Sequence, residues 1–99
     1  MQFMPNAPKQ VVLTQKAKRD IQEIIRNVVD YTSHYSSGET LANELKHKIL
    51  MLGFIPKSGR NGIVEGTREL FCRSYRIVYK ETELQVRILT VIHSRRNYP

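Results

Sequence analysis

With 99 residues the chain has room for one domain and one core, and an apolar fraction of 40% excludes an intrinsically disordered segment. A formal charge of +7 and a pI near 9.9 point to negatively charged partners: nucleic acid, an acidic protein or an anionic membrane surface. A single cysteine, Cys72, rules out an intrachain disulfide. No apolar run approaches the ~18 residues of a membrane span, and MQFMPNAPKQ has no signal-peptide core, so a cytoplasmic protein without a membrane partner is expected.

The two prolines of MPNAP disfavour regular structure, so residues 1–8 are expected to form a flexible arm and residues 9–99 the single domain. KQVVL reads as a short strand. Thr14 is the expected N-cap of a first helix, on which Ala17, Ile21, Ile24, Val28, Tyr31 and Tyr35 recur at helical spacing as the apolar stripe. SHYSSG is expected to break this helix, since Ser and Gly favour turns. A second helix carries Leu41, Ala42, Leu45, Ile49 and Leu52 inward, with Glu44 and Lys48 as an i,i+4 pair and Gly53 as its stop. A short connection makes the two an antiparallel hairpin.

FIPKSGRNGIVEG, with one Pro and three Gly, reads as a loop. RELFC, YRIVYK and ELQVRILTVI follow as three strands of an antiparallel meander, separated by turn-length gaps. The fold class expected is therefore α+β, in the order β-α-α-β-β-β, with the helical hairpin packed on one face of a small, mainly antiparallel sheet. Alternation predicts Tyr75, Ile77 and Tyr79 toward the helices and Arg76 and Lys80 away. In the last strand Val86, Ile88, Thr90 and Ile92 take one side and Arg87, Leu89, Val91 and His93 the other; the mixed second set leaves its face unassigned.

The charge is concentrated late in the chain. Residues 1–53 hold seven Lys and Arg against five Asp and Glu, whereas residues 54–99 hold nine against four. Sheet pairing can bring Arg68, Arg73 and Arg76 near His93, Arg95 and Arg96, and clustered Arg and His beside Tyr75 and Tyr98 suit phosphodiester binding and base stacking. Arginines on an open sheet face equally serve to keep it soluble and to block edge pairing. Metal-free RNA cleavage needs a base, a cation and an acid: His93 fits base or acid, Arg76 and Arg95 the cation, and Glu69 or Tyr98 the remainder. Cys72 reads as a small core hydrophobe in a strand, and His34 and His47 as ordinary surface residues. No HExxH, paired CxxC, P-loop or Rossmann fingerprint is present, so neither a metal nor another cofactor is expected.

Ala17, Asp20, Ile21, Ile24 and Tyr31, then PKSGR, GTREL, YRIVY and VRILTVIHSRR, together resemble the RelE/ParE superfamily of type II toxin–antitoxin toxins, from Val11 to Pro99. The resemblance implies a small basic toxin neutralised by a cognate antitoxin whose acidic or amphipathic tail masks its working surface. RelE-like members cleave messenger RNA in the ribosome; ParE-like members poison DNA gyrase without catalysis of their own. The long hairpin, the PKSGR exit and GTREL are closer to ParE, which makes a gyrase inhibitor without catalytic residues the leading expectation. Arg60, Arg68, Arg73, Arg76, His93, Arg95, Arg96 and Tyr98 are its candidate target-binding residues. The alternative is a metal-independent, ribosome-dependent endoribonuclease using His93, Arg76, Arg95, Glu69 and Tyr98. A non-toxic nucleic-acid-binding module is the third reading.

Overall fold

The computed structural model describes residues 8–99; residues 1–7, which hold nearly all of the expected arm, lie outside the described residues. Seven elements follow one another: β1 (Gln10–Leu13), α1 (Gln15–Thr32), α2 (Tyr35–Met51), β2 (Arg60–Asn61), β3 (Arg68–Cys72), β4 (Tyr75–Glu81) and β5 (Gln85–His93). They form one five-stranded sheet in the order β1-β5-β4-β3-β2, antiparallel except where β1 lies parallel to β5. The expected α+β architecture is thus observed. Two residues of the expected loop, Arg60 and Asn61, add an edge strand too short to leave a sequence pattern.

Thr14 caps α1 as expected, its hydroxyl oxygen accepting from the Ala17 N–H at 3.1 Å. The same hydroxyl lies within donating distance of the Ile88 carbonyl, at 2.9 Å, so the helix start is pinned to β5. The hairpin departs from expectation. Tyr35 opens α2 rather than closing α1, because Ser33 alone takes the left-handed conformation that ends α1, at φ 59°, and donates its N–H to Val29. Ser36, Ser37 and Gly38 therefore lie in the first turn of α2. Gly38 is a packing residue: a Cβ there would come within 2.6 Å of Val29 Cγ2, so its bare backbone lets the helices approach. Tyr31 and Tyr35, expected on the buried stripe, are exposed at this tip.

The core lies between the hairpin and the sheet and contains Ala17, Leu41, Leu45, Ile49, Leu52, Cys72, Ile77, Tyr79, Val86, Ile88 and Val91, with Ile21, Ile24 and Val28 half-buried against it. Burial pushes the Cys72 thiol above its ordinary value, the opposite of an activated thiolate. Gly53 follows α2 but its φ is not positive; a Cβ would meet the Lys9 carbonyl at 2.7 Å, so close contact with the chain before β1 is what requires glycine.

The mixed alternation of the last strand has a concrete cause. Val78 pairs with Thr90 and Tyr79 with Ile88, so Leu89 is an extra residue in β5, a β-bulge. The bulge flips the phase of everything after it. Val86 and Ile88 face the helices, and beyond the bulge so does Val91 rather than Thr90 or Ile92.

Where β1 ends, Asp20 of α1 takes over the edge of β5, accepting from the Val91 N–H at 3.2 Å and from the Thr90 hydroxyl, with Lys16 at 3.1 Å. Partial burial alone would raise the Asp20 carboxyl, but the bonds from Thr90, Lys16 and Val91 outweigh it and hold its pKa below the ordinary 3.8. A carboxyl depressed in this way adds stability that is complete above pH ~4 and lost as pH falls through the folded-state value. Glu44 and Glu81 are likewise depressed, by Arg73 and by Lys9, from 4.5. The midpoint of thermal unfolding is therefore expected to fall steeply below about pH 4.5, and Asp20→Asn to flatten part of that fall. An Asp20→Asn variant with the parent's full acid slope would show that Asp20 has no part in it.

Candidate functional site

Two faces of the sheet divide the residues singled out by their chemistry. On the outer face, away from the helices, register places Arg60 beside Glu69, Glu69 beside Val78, Phe71 beside Arg76, Arg76 beside Ile92 and Lys80 beside Arg87. On the helix side, His93 is the cross-strand partner of Tyr75, with their rings edge to face at 6.0 Å. His93 and Arg76 are thus directed to opposite faces. The fold brings Arg76 and Glu69 together and separates both from His93.

Arg76 and Glu69 form a buried ion pair at 3.4 Å, with side chains 6% and 1% exposed. A second Arg76 nitrogen donates to the Arg96 carbonyl, which ties the C-terminal tail to the sheet. Arg60 approaches the same carboxylate at 3.6 Å, and its guanidinium lies over the Phe71 ring at 4.7 Å from the centroid. Glu69 therefore links the loop arginine to the arginine that anchors the tail. Burial of Arg76 corrects its expected role as a target-facing cation, because the exposed surface at this point belongs to Arg60 and the tail.

The PKSGR exit is held by Tyr79. Its hydroxyl donates to the Pro56 carbonyl at 2.6 Å and accepts from the Gly59 N–H at 2.9 Å. A Cβ at residue 59 would lie 2.6 Å from that hydroxyl, so glycine is required there. Arg68, half-buried, donates to the Gly59 carbonyl at 2.8 Å. Arg73, in the left-handed conformation of the β3–β4 turn, grips Glu44 of α2 with two bonds, the longer 2.6 Å. Glu44 thus pairs across elements rather than with Lys48. Arg68 and Arg73 shape the surface, and Arg60, Arg95 and Arg96 present exposed guanidinium groups.

The tail after β5 is folded. Ser94 donates its N–H to Ser74 at 2.7 Å, Arg96 donates to the His93 carbonyl at 2.9 Å, and the Arg95 N–H donates to His93 Nδ1 at 3.2 Å. His93, exposed, lines a groove of about 500 Å³ with Arg73, Tyr75, Ser74 and the first turns of α2, while Arg96 lines a neighbouring one of about 250 Å³ against α1. Tyr98 is half-buried. Among the described residues no group of three His, Cys, Asp or Glu is placed to hold a metal, and no helix is long and apolar enough to cross a membrane.

The family model for the ParE toxin of the type II toxin–antitoxin system parDE matches residues 11–98. The chain belongs to the ParE toxin family. This ParE-family chain superposes on a chain of the chromosomal ParDE toxin–antitoxin system of P. aeruginosa with a TM-score of 0.80, at 16% identity, over 89% of its own length and 98% of the other. A chain of the RelBE2 toxin–antitoxin complex of Mycobacterium tuberculosis matches with a TM-score of 0.55, at 21% identity, over 88% and 92%. These likenesses establish the fold. Among curated proteins no sequence matches. Sequence reasoning missed Phe71, the Glu44–Arg73 pair and the pairing of Lys80 with Arg87; their signal is contact between separate elements, which becomes legible only once the strands and helices are placed.

Proposed function

We propose that this ParE-family toxin arrests growth in the cytoplasm by inhibiting DNA gyrase, and that a cognate antitoxin neutralises it. The observation that carries this reading over the nuclease alternative is the separation of His93 from Arg76 and Glu69. An RNA-cleaving site needs its base, cation and acid around one phosphate. Here the cation and carboxylate are spent on each other beneath one face, and the imidazole opens on the other. What remains outward is a recognition surface: Arg60 held over Phe71 on one side, and His93, Arg95, Arg96 and Tyr98 of the tail on the other. Arg68, Arg73 and Arg76 position it. Such a surface suits docking on a protein target, where arginine and aromatic anchors carry most of the affinity.

The antitoxin is expected at the opposite end of the hairpin. Val11, Leu13, Ile21, Ala42, Leu45, Ile49 and Leu50 border an apolar groove of about 320 Å³ beside Lys46, and Met51, Phe54 and Ile55, the next large apolar residues in the chain, are also exposed. An amphipathic segment folding into this groove would bury these side chains and set acidic residues near lysine.

Induction of the chain without its antitoxin tests the reading. Early loss of DNA synthesis, with protein synthesis intact, is the expected result, and early loss of protein synthesis with cleaved message is the contrary one. In the same assay His93→Gln should keep most of the toxicity, because no proton transfer is required of it. Arg95→Ala with Arg96→Ala should weaken it by about tenfold or more through lost charged hydrogen bonds. A His93→Gln variant reduced by ~10²–10⁴-fold would instead mark a proton carrier.

A further inference from the structure

Lys80 and Arg87 are direct cross-strand partners on the outer face, which sets their Cα atoms about 5 Å apart. Both are exposed, and like charges in this position repel. Among the described residues no carboxylate relieves them. Of the nine in the sequence, Glu69 serves Arg76 and Arg60, Glu81 serves Lys9 and Lys57, Asp20 serves Lys16, and Glu44 serves Arg73; among the described residues none forms an ion pair with Lys80 or Arg87. On the same face Arg60 stands exposed over Phe71. Three cations are thereby spread from β2 to β5, a width of about 14 Å at ordinary strand spacing.

We propose that this outer face binds the phosphate backbone of double-stranded DNA, with Arg60, Lys80 and Arg87 as the contacting cations. A repelling pair costs stability in the free protein and is relieved when an anion sits across it. Single strands are held by bases stacking on open aromatic rings. Here the Phe71 ring is 41% exposed with the Arg60 guanidinium 4.7 Å from its centroid, and Tyr75 faces the helices, so the face offers one ring, already paired with a cation, where successive bases need several. A peptide that folds on binding needs apolar anchors as well as charge. A run of them lies at the far end of α2, in Leu50, Met51, Phe54 and Ile55, whereas on this face the exposed strand residue of that kind is Phe71, with Arg60 against its ring. The inference rests on the gyrase reading only for the source of the duplex, the DNA that gyrase itself holds.

The test uses the full chain and a labelled 30-base-pair duplex, with affinity followed by anisotropy over a salt series. Lys80→Gln with Arg87→Gln is compared with Lys18→Gln and Arg19→Gln on α1, which changes net charge equally. The outer-face variant should bind at least about tenfold more weakly, and the slope of log K against log salt should shrink by close to two, at about 0.9 per phosphate contact. The α1 variant should keep most of both. Equal losses in the two variants, or parent-like binding by the outer-face variant, would overturn the proposal. So would an outer-face variant that loses affinity for a poly-glutamate peptide while keeping its affinity for DNA, which would identify an acidic protein partner. Gyrase supercoiling measured in parallel separates the two readings. A parent that leaves gyrase active but binds duplex through Lys80 and Arg87 removes the gyrase reading and keeps this one; a parent that inhibits gyrase but whose duplex binding ignores these residues does the reverse.

Discussion

Replacing Glu69 by alanine is expected to cost about 3–5 kcal/mol of stability, because Arg76 is left charged and buried with no counter-ion. For a domain of this size that corresponds to a fall in Tm of well over 10 °C, at about 4–8 °C per kcal/mol. The pair itself is not the source of the cost. Bringing both ions out of water is expensive, and their attraction at 3.4 Å only offsets it. Glu69→Leu combined with Arg76→Met should therefore recover most of the lost stability, since neither buried charge remains. It should not recover toxicity. The Arg76 bond to the Arg96 carbonyl goes with the arginine, and Arg60 loses its carboxylate, so both halves of the proposed recognition surface lose their support. Denaturant melts and growth-arrest assays on the same three proteins separate the two effects. A double variant as unstable as Glu69→Ala would show that packing, rather than the orphaned charge, sets the cost.

Leu45→Ala should be of similar size, about 2–5 kcal/mol, with most of the spread set by how far the cavity collapses. Leu45 is 1% exposed and sits at the centre of the hairpin–sheet contact. Ile24, only half-buried, should cost less than Leu45 on the same change. Chemical denaturation of the two variants measures this directly. Equal losses, or no loss at Leu45, would contradict the packing described for α2.

Much of this fold is legible in the sequence because its signals are local. Thr14 before an apolar stripe marks the start of α1, and the β-rich runs from Arg68 onward mark the meander, since capping and alternation act over a few residues. What escapes is set by contacts between distant segments. Gly38 reads as a helix breaker because glycine usually is one; that it lets α2 lie against Val29 depends on where α1 passes. Leu89 carries no mark as a bulge, yet it reverses the facing of Thr90 to His93 relative to simple alternation.

The site was legible in part for the same reason. His93, Arg95 and Arg96 stand out as an exposed basic ending and are found exposed. Arg76 reads as one more surface cation, since nothing in YRIVY announces that Glu69 lies diagonally across β3 and β4 to bury it. Sheet pairing suggested that His93 could work beside Arg76, and strand alternation places them on opposite faces.

Purified chain added to a gyrase supercoiling reaction, and separately to ribosomes translating a labelled message, tests the central claim most directly. Relaxed plasmid should stay relaxed while the message stays intact, with inhibition weakened about tenfold or more in the Arg95→Ala, Arg96→Ala variant and kept in His93→Gln. Cleaved message beside fully active gyrase would contradict it.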